Sequence, residues 1–217
     1  PDTVDAEIQR LLDKGYICPW SQLLNELELP LDTEPDVILP IGVLTKMETG
    51  GRVKHRVLLD PSRENSDGLS LNESAKQALG DLPTRYANID FAAAAVNSRS
   101  WIWRADFEDS YMQIPLARSC CRFAVIRWRG QLLVYKRGAY GHATLPRAQQ
   151  TITVAIMRAT VRRMQQADLS CGTPPAWDHT NTFCYPRAAH WGHKHTAVMC
   201  LLDDVAGFGN SERAASF

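Results

Sequence analysis

The stretch WRADFEDSYMQIPL, residues 103–116, decides how this sequence is interpreted. It overlaps the alternating apolar and aromatic run WIWRADF, residues 101–107, which predicts a short β-strand. Asp106 follows the apolar part of that strand directly. A carboxylate at the end of a buried strand is costly unless it is solvated, paired or bound to metal. Asp106 is therefore a candidate for one of those three arrangements.

A second acidic cluster follows an apolar run near the end of the sequence. The segment TAVMCLLDDVAGFG, residues 196–209, consists of two apolar runs around Asp203 and Asp204, which predicts a β-hairpin with carboxylates at its tip. If the strand before Asp106 lies beside this hairpin, the carboxylates converge, and Mg²⁺ prefers oxygen ligands of this kind. Two such ions can hold the attacking and leaving oxygens of a phosphoryl displacement. The alternative is an ordinary solvated turn.

The rest of the chain predicts an α+β pattern of elements. Residues 19–37 predict an irregular connection, and residues 167–195 predict a loop. The elements predicted before the Asp203–Asp204 hairpin are a helix over 5–16 that stops near Gly15, a hairpin from VILPIGVLTKM to RVLLD (37–60), helices at AKQAL (75–79) and FAAAAV (91–96), the WIWRADF strand, a hairpin over RFAVIRWRGQLLVYKRG (122–138) that turns at Arg129–Gly130, and a long helix after Pro146. Apolar spacing gives that long helix one face, made of Ala148, Ile152, Ala155, Ile156, Thr160 and Met164.

Several motifs in a fixed order give the chain a resemblance to the reverse transcriptases of retroelements. The start IQRLLDKGYI resembles the helix that opens the fingers, and RVLLDPSREN resembles the fingers motif R-x-x-x-D-x-x-x-x-N. WRADFEDSYMQIPL is similar to the first palm motif, D-[LF]-x-x-[AS]-Y-x-x-I-P-L. YGHATLP with the following glutamines resembles F-G-x-x-x-x-P-x-x-x-Q, and LLDD resembles [YF]-x-D-D. Among retroelements, the group that carries a tyrosine recombinase has the version of the first palm motif that is most similar to this one.

The resemblance implies the fingers and palm of a right-hand polymerase fold, with an antiparallel palm sheet that has helices on one face. The fingers are expected over residues 1–85, with 117–140 returning to them. The palm is expected over residues 86–116 and 141–217, with an insert at 167–195. Because the sequence stops soon after the Asp203–Asp204 hairpin, we expect the thumb to be absent and the chain alone not to be processive. Other protein chains are then expected to cover the surface that a thumb would contact.

The resemblance also implies the roles of individual residues. Asp106, Asp203 and Asp204 would be catalytic and, with the backbone carbonyl of Phe107, would bind two Mg²⁺ ions. Tyr111 is expected to face the sugar, although an ordinary core tyrosine is the alternative. The expected nucleotide-binding residues are Arg56, Lys46 (with Lys54 as an alternative), Tyr111, Tyr140 and Gly141.

Composition and the remaining residues add further expectations. The 24 basic and 24 acidic residues balance, which argues against strong unaided binding to nucleic acid. The six irregularly spaced cysteines indicate a reducing intracellular compartment, whether nuclear, cytoplasmic or organellar, and the absence of long apolar runs predicts no membrane partner. The insert at 167–195 predicts either a zinc site or a polar surface loop. The residues that suggest zinc are Cys171, His179, Cys184, His190, His193 and His195.

Two functions remain open at the level of sequence. One is an RNA-directed DNA polymerase domain that acts on an RNA template and a DNA primer. The other is a domesticated, non-catalytic subunit with a structural or RNA-contacting role in a larger ribonucleoprotein. The three retained carboxylates favour the first function. Leu201 in place of the motif's aromatic residue, together with the balanced charge, favours the second.

Overall fold

A computed structural model describes residues 2–47, 50–51, 53–65, 68–80, 84, 101–170 and 196–209. Within those residues the chain forms five α-helices, eight β-strands and a 3-10 turn at Ser110–Gln113. The helices are α1 (Asp2–Asp13), α2 (Trp20–Glu26), α3 (Leu71–Leu79), α4 (Arg118–Cys121) and α5 (Leu145–Ser170). The strands are β1 (Ile17–Pro19), β2 (Ile41–Met47), β3 (Val53–Leu59), β4 (Trp101–Asp106), β5 (Val125–Trp128), β6 (Gln131–Tyr135), β7 (Thr196–Leu201) and β8 (Asp204–Gly209). The predicted α+β class is confirmed.

The strands form three small sheets in which every strand pairing is antiparallel. Their orders are β1–β6–β5, β2–β3 and β4–β8–β7. The chain divides into two compact units, a first unit of Pro1–Leu82 with Asp109–Leu145 and a second unit of Pro83–Glu108 with Pro146–Phe217. The first unit contains the first two sheets, and the second unit contains the third. The assignment of the chain to fingers and palm stays a prediction.

The first unit has its core between α1 and the β5–β6 hairpin. Ile8 and Leu11 from α1 lie in one buried cluster with Ile126, Leu133 and Tyr135 from the hairpin. The helix ends as its sequence predicts, because Gly15 takes a positive φ of 66° and the next amide N–H bonds back to the carbonyl of Leu11 at 2.9 Å. The predicted first helix is therefore confirmed.

One predicted connection is wrong in its first part. Residues 19–37 are not irregular throughout, because α2 occupies Trp20–Glu26 and buries Trp20, Leu23 and Leu24. Pro19 suggests a break in regular structure, but it lies at the residue just before the helix. Its lack of an N–H costs nothing there, because the first amides of a helix have no partner within the helix.

The long helix is confirmed, but its predicted apolar face is not the face that is buried. Ile152 and Ile156 are each 41% exposed. After Pro146, the buried side chains among those that the structure describes are Gln149, Gln150 and Thr153, and Val154 and Met157 are partly buried against the sheet. Apolar spacing fails here because the helix buries polar groups that have hydrogen-bond partners. The helix also continues to Ser170, so the prediction of a loop is wrong for residues 167–170, and the rest of the predicted loop lies outside the described residues.

Two predictions fall outside the described residues, namely the FAAAAV helix and the cysteines and histidines proposed as zinc ligands. Among the residues that are described, no helix combines the length and the apolar character needed to cross a membrane.

Candidate functional site

The sheet of the second unit brings the predicted carboxylates to one end. In the register of β4 and β8, Asp106 lies directly opposite Asp204. Asp203 occupies the turn between β7 and β8, and its carbonyl accepts a hydrogen bond from the amide of Phe107 at 3.2 Å. The three aspartates therefore share the end of the sheet at which β4 stops and the β7–β8 hairpin turns, as the sequence predicts.

The face of the sheet that carries Asp106 also carries a cation. Arg104 precedes Asp106 by two residues, so both side chains project from the same face of β4. The Nε and Nη2 atoms of Arg104 donate to Oδ1 of Asp204 at 3.0 and 2.6 Å. This hydrogen bonding and the charge of Asp204 raise the pKa of the Arg104 guanidinium above its ordinary value, and Asp106 and Asp203 add to the rise. Arg104 therefore lies in the combined field of the three carboxylates.

The fit of this cluster to Mg²⁺ can be judged from its donors. Carboxylate and carbonyl oxygens are the correct ligand type, and the exposed side chain of Asp106 leaves room for metal-bound water. The arrangement is less suitable, because among the described residues no three His, Cys, Asp or Glu side chains are grouped so that they could hold a metal ion. Asp204 instead contacts Arg104. The Mg²⁺ site stays a prediction.

The opposite face of the same sheet packs against α5. Cys200 and Val205 form the centre of a small buried cluster, which Trp103, Phe107, Val154 and Met157 complete. Gly207 lies opposite Trp103 in the register, and a Cβ atom at Gly207 would come within 1.9 Å of the indole ring. The glycine therefore provides the space that the tryptophan occupies, and the helix covers the face away from the carboxylates.

Two side chains of α5 hold the turn that carries Asp203. Leu202 takes a positive φ of 57°, a conformation that is unfavourable for a branched side chain. Its N–H donates to Oε1 of Gln150 at 2.7 Å, and its carbonyl accepts from Oγ1 of Thr153, also at 2.7 Å. Nε2 of Gln150 also donates to the carbonyl of Cys200 at 3.2 Å. Both polar groups of a strained residue are thus satisfied by one face of one helix.

The sequence did not identify Thr153 or Arg104 as parts of the site. Thr153 could have been found, because it lies three residues after the motif glutamine Gln150 and such residues share a helix face. Arg104 could have been found from its alternation with Asp106 along one strand.

Three of the predicted nucleotide-binding residues come together within the first unit. The rings of Tyr111 and Tyr140 meet edge to face, with centroids 5.0 Å apart and an interplanar angle of 60°. The guanidinium carbon of Arg56 lies 5.9 Å from the centroid of the Tyr140 ring, within the range of a cation–π contact. Tyr140 therefore links Arg56 to Tyr111.

The backbone of Gly141, next to Tyr140, packs closely against the backbone of Leu59. It has a φ of 116°, and a Cβ atom there would come 2.3 Å from the carbonyl oxygen of Leu59. Asn72 fixes the same segment, because its Nδ2 donates to the carbonyl of Gly141 at 3.0 Å and its Oδ1 accepts from the amide of Ala143 at 2.9 Å. Close packing of the protein's own backbone is thus sufficient to require glycine at this position.

Lys46 lies near the tip of the β2–β3 hairpin, opposite Lys54. Its side chain is exposed. Arg56 pairs with Leu44, two residues before Lys46, so Lys46 and Arg56 project from the same face. The choice between Lys46 and Lys54 stays open, because the side chain of Lys54 is outside the described part of the structure.

The chain is similar in structure to reverse transcriptases of foamy viruses. The protease-reverse transcriptase of prototype foamy virus superimposes with a TM-score of 0.52 and 14% identity, over 92% of this chain and 18% of that one. A foamy viral protease-reverse transcriptase determined in complex with double-stranded DNA gives a TM-score of 0.52 and 14% identity, over 90% of this chain and 24% of that one. The chain thus spans less than a quarter of the length of these proteins.

Comparisons by sequence add nothing to this structural likeness, because no protein-family model and no curated protein matches the chain. At 14% identity the similarity to the viral enzymes concerns the fold alone. This chain therefore has a fold related to that of reverse transcriptases.

Proposed function

We propose that this chain is the fingers and palm part of a reverse-transcriptase-like, RNA-directed DNA polymerase. The observation that carries the proposal is the register of β4 and β8, which sets Asp106 opposite Asp204 and beside the Asp203 turn. These are the carboxylates that the palm motifs of the family imply, and they lie in a fold related to that of reverse transcriptases.

In this proposal Asp106, Asp203 and Asp204 would hold two Mg²⁺ ions, with the backbone carbonyl of Phe107 as a further ligand. The ions would neutralise charge on the phosphates during nucleotidyl transfer. The protein positions these donors through α5, whose Gln150 and Thr153 side chains fix the turn that carries Asp203. Catalysis of this kind depends mainly on positioning and on charge stabilisation.

Three of the residues that the resemblance assigns to nucleotide binding are grouped around Tyr140 within the first unit. The planar guanidinium of Arg56 suits a phosphate group, and its contact with the Tyr140 ring restricts where that group can lie. Tyr111 packs on the other aromatic ring and would face the sugar. Gly141 and Lys46 complete the proposed set.

The proposed partners are an RNA template with a DNA primer, together with other protein chains. One of the similar viral enzymes was determined with double-stranded DNA, which supports a duplex as the ligand class. The balanced charge of this chain supports a requirement for additional contacts from elsewhere in a larger assembly.

Replacing one carboxylate tests the proposal. Asp203→Asn should reduce extension of a DNA primer on an RNA template by at least about 100-fold with Mg²⁺ or Mn²⁺, because it removes a charge that would hold the metal. Glu108→Gln removes one negative charge from an exposed residue beside the same strand and serves as the control. Extension that survives in the Asp203→Asn variant would contradict the metal site.

A non-catalytic, RNA-contacting subunit is the second candidate. The observation that favours it is the contact between Arg104 and Asp204, which gives one of the three carboxylates a cationic partner within the protein. In that case the unaltered chain would bind RNA without extending a primer, and Asp203→Asn would leave RNA binding unchanged. Filter binding of labelled RNA alongside the extension assay separates the two functions.

A further inference from the structure

The position of Arg104 beside Asp204 follows from the strand register. Arg104 pairs with Ala206, and Asp106 pairs with Asp204. Arg104 and Asp204 are therefore diagonal neighbours on one face, at a separation that a long side chain can span. The contact is thus built into the sheet and does not depend on a loop.

The guanidinium uses an oxygen that a metal ion would need. Two nitrogens of Arg104 converge on Oδ1 of Asp204, at 3.0 and 2.6 Å. A divalent ion that binds Asp204 through the same atom must take the place of these hydrogen bonds. Arginine and metal therefore compete for one carboxylate.

The solvent exposure of the ion pair would allow the Arg104 side chain to move away from Asp204. Its side chain is 73% exposed and that of Asp204 is 45% exposed, so the released guanidinium would remain hydrated. Exposed ion pairs of this kind are weak, which makes displacement by a divalent ion easy.

We propose that Arg104 is the internal counter-ion of the carboxylate site, pairing with Asp204 and competing with divalent metal ions for it. The inference rests on the proposed function, since it takes Asp106, Asp203 and Asp204 as the metal site. Arg104 is a positioning residue under this proposal, because it acts on the metal through Asp204. It would weaken metal binding because its hydrogen bonds occupy Oδ1 of Asp204.

The test is a titration of the chain with Mn²⁺, in which free Mn²⁺ is followed by electron paramagnetic resonance without any substrate. Arg104→Gln should tighten Mn²⁺ binding by about threefold to tenfold, because it removes a positive charge a few ångströms from the ion. Arg104→Lys keeps the charge but loses the paired contact, and it should give an intermediate affinity.

Arg163→Gln is the matched control. It also removes one positive charge from an exposed residue of the second unit. Arg163 lies ten residues beyond Thr153 on α5, which is about 15 Å along the helix, and salt screens charges at that range. Its affinity for Mn²⁺ should equal that of the unaltered chain.

The outcomes separate the inference from the function on which it rests. Unchanged or weaker binding in Arg104→Gln would overturn the role of Arg104, provided that Asp203→Asn still abolishes binding. Failure of every variant to bind Mn²⁺, or binding that survives in Asp203→Asn, would overturn the metal site and the inference together. Equal tightening in Arg163→Gln would also overturn the inference, because it would show a general effect of charge.

Discussion

The hairpins β5–β6 and β7–β8 each turn over two residues, but the two turns are stabilised in different ways. Arg129 and Gly130 connect β5 to β6 with φ values of 47° and 80°, the pair of positive angles that a tight hairpin of this type requires. Leu202 and Asp203 connect β7 to β8, with a positive φ at Leu202. The first turn has glycine at its second position, whereas the second turn has no glycine.

The presence of glycine in one turn and its absence from the other indicate that different interactions stabilise the two turns. The Arg129–Gly130 turn is specified locally by a residue that tolerates positive φ. The turn at Leu202 is held from outside, by Gln150 and Thr153 of α5. Strained backbone that the surrounding structure over-determines is common at functional sites. The hairpin with the imposed turn is the one that carries Asp203 and Asp204.

The largest expected effect tests whether the β7–β8 hairpin depends on its packing against β4, the third strand of the same sheet. Gly207→Ala should destabilise the protein by about 3 kcal/mol or more, because the added methyl overlaps the Trp103 ring. Gly42→Ala is the control, since Gly42 also lies in a strand and has nothing within 4 Å of its would-be Cβ. Urea unfolding followed by circular dichroism measures both. Equal stability of the two variants would show that Trp103 moves aside at little cost.

A smaller effect tests the support from α5. Thr153→Val should cost about 1–2 kcal/mol, because at nearly constant volume it leaves the partly buried carbonyl of Leu202 without its hydroxyl donor and the Gln149 amide without its acceptor. Thr151→Val removes an exposed hydroxyl that bonds within its own helix, and it should change stability by less than about 0.5 kcal/mol. Equal losses of unfolding free energy in the two variants would mean that the turn is not held by α5.

The smallest effect compares the two turns directly. Gly130→Ala should cost about 1 kcal/mol, because alanine is strained at positive φ. Leu202→Gly should change stability by less than about 0.5 kcal/mol, since relief of strain offsets the loss of a partly buried side chain. Thermal unfolding of both variants gives the comparison. A large loss in Leu202→Gly would show that the leucine side chain, and not its backbone, holds the turn.

Sequence patterns predicted those elements whose structure is determined locally. Gly15 ends α1 and Gly130 turns β5–β6 because positive φ favours glycine wherever it is needed. The apolar runs around Asp203 and Asp204 predicted the two strands of their hairpin, although the turn between them has no glycine. The buried face of α5 was not predictable from hydrophobicity, because Gln150 and Thr153 are buried through hydrogen bonds to Cys200 and Leu202 that exist only once the hairpin is in place. Gln149 is buried beside them and bonds to Thr153 within the helix.

The candidate site divides along the same line. The placement of Asp106 and Asp203 at strand ends followed from the order of residues in the chain. The contact of Arg104 with Asp204 depends on which residues face each other across β4 and β8. That register cannot be predicted from the sequence of either strand alone, because the two strands are far apart in the chain.

The β2–β3 hairpin implies a gradient of local opening along its length. Val57 and Leu59, near its base, are buried, whereas Met47 and Val53, at its tip, are 71% and 47% exposed. Beyond its buried base, a two-stranded ribbon has little free energy to keep its amides from exchanging with solvent. Amide protons near Lys46 should therefore exchange sooner than those near Val57. Arg56 is next to Val57, at the buried base of the hairpin. It would therefore remain in position when the tip opens and Lys46 moves.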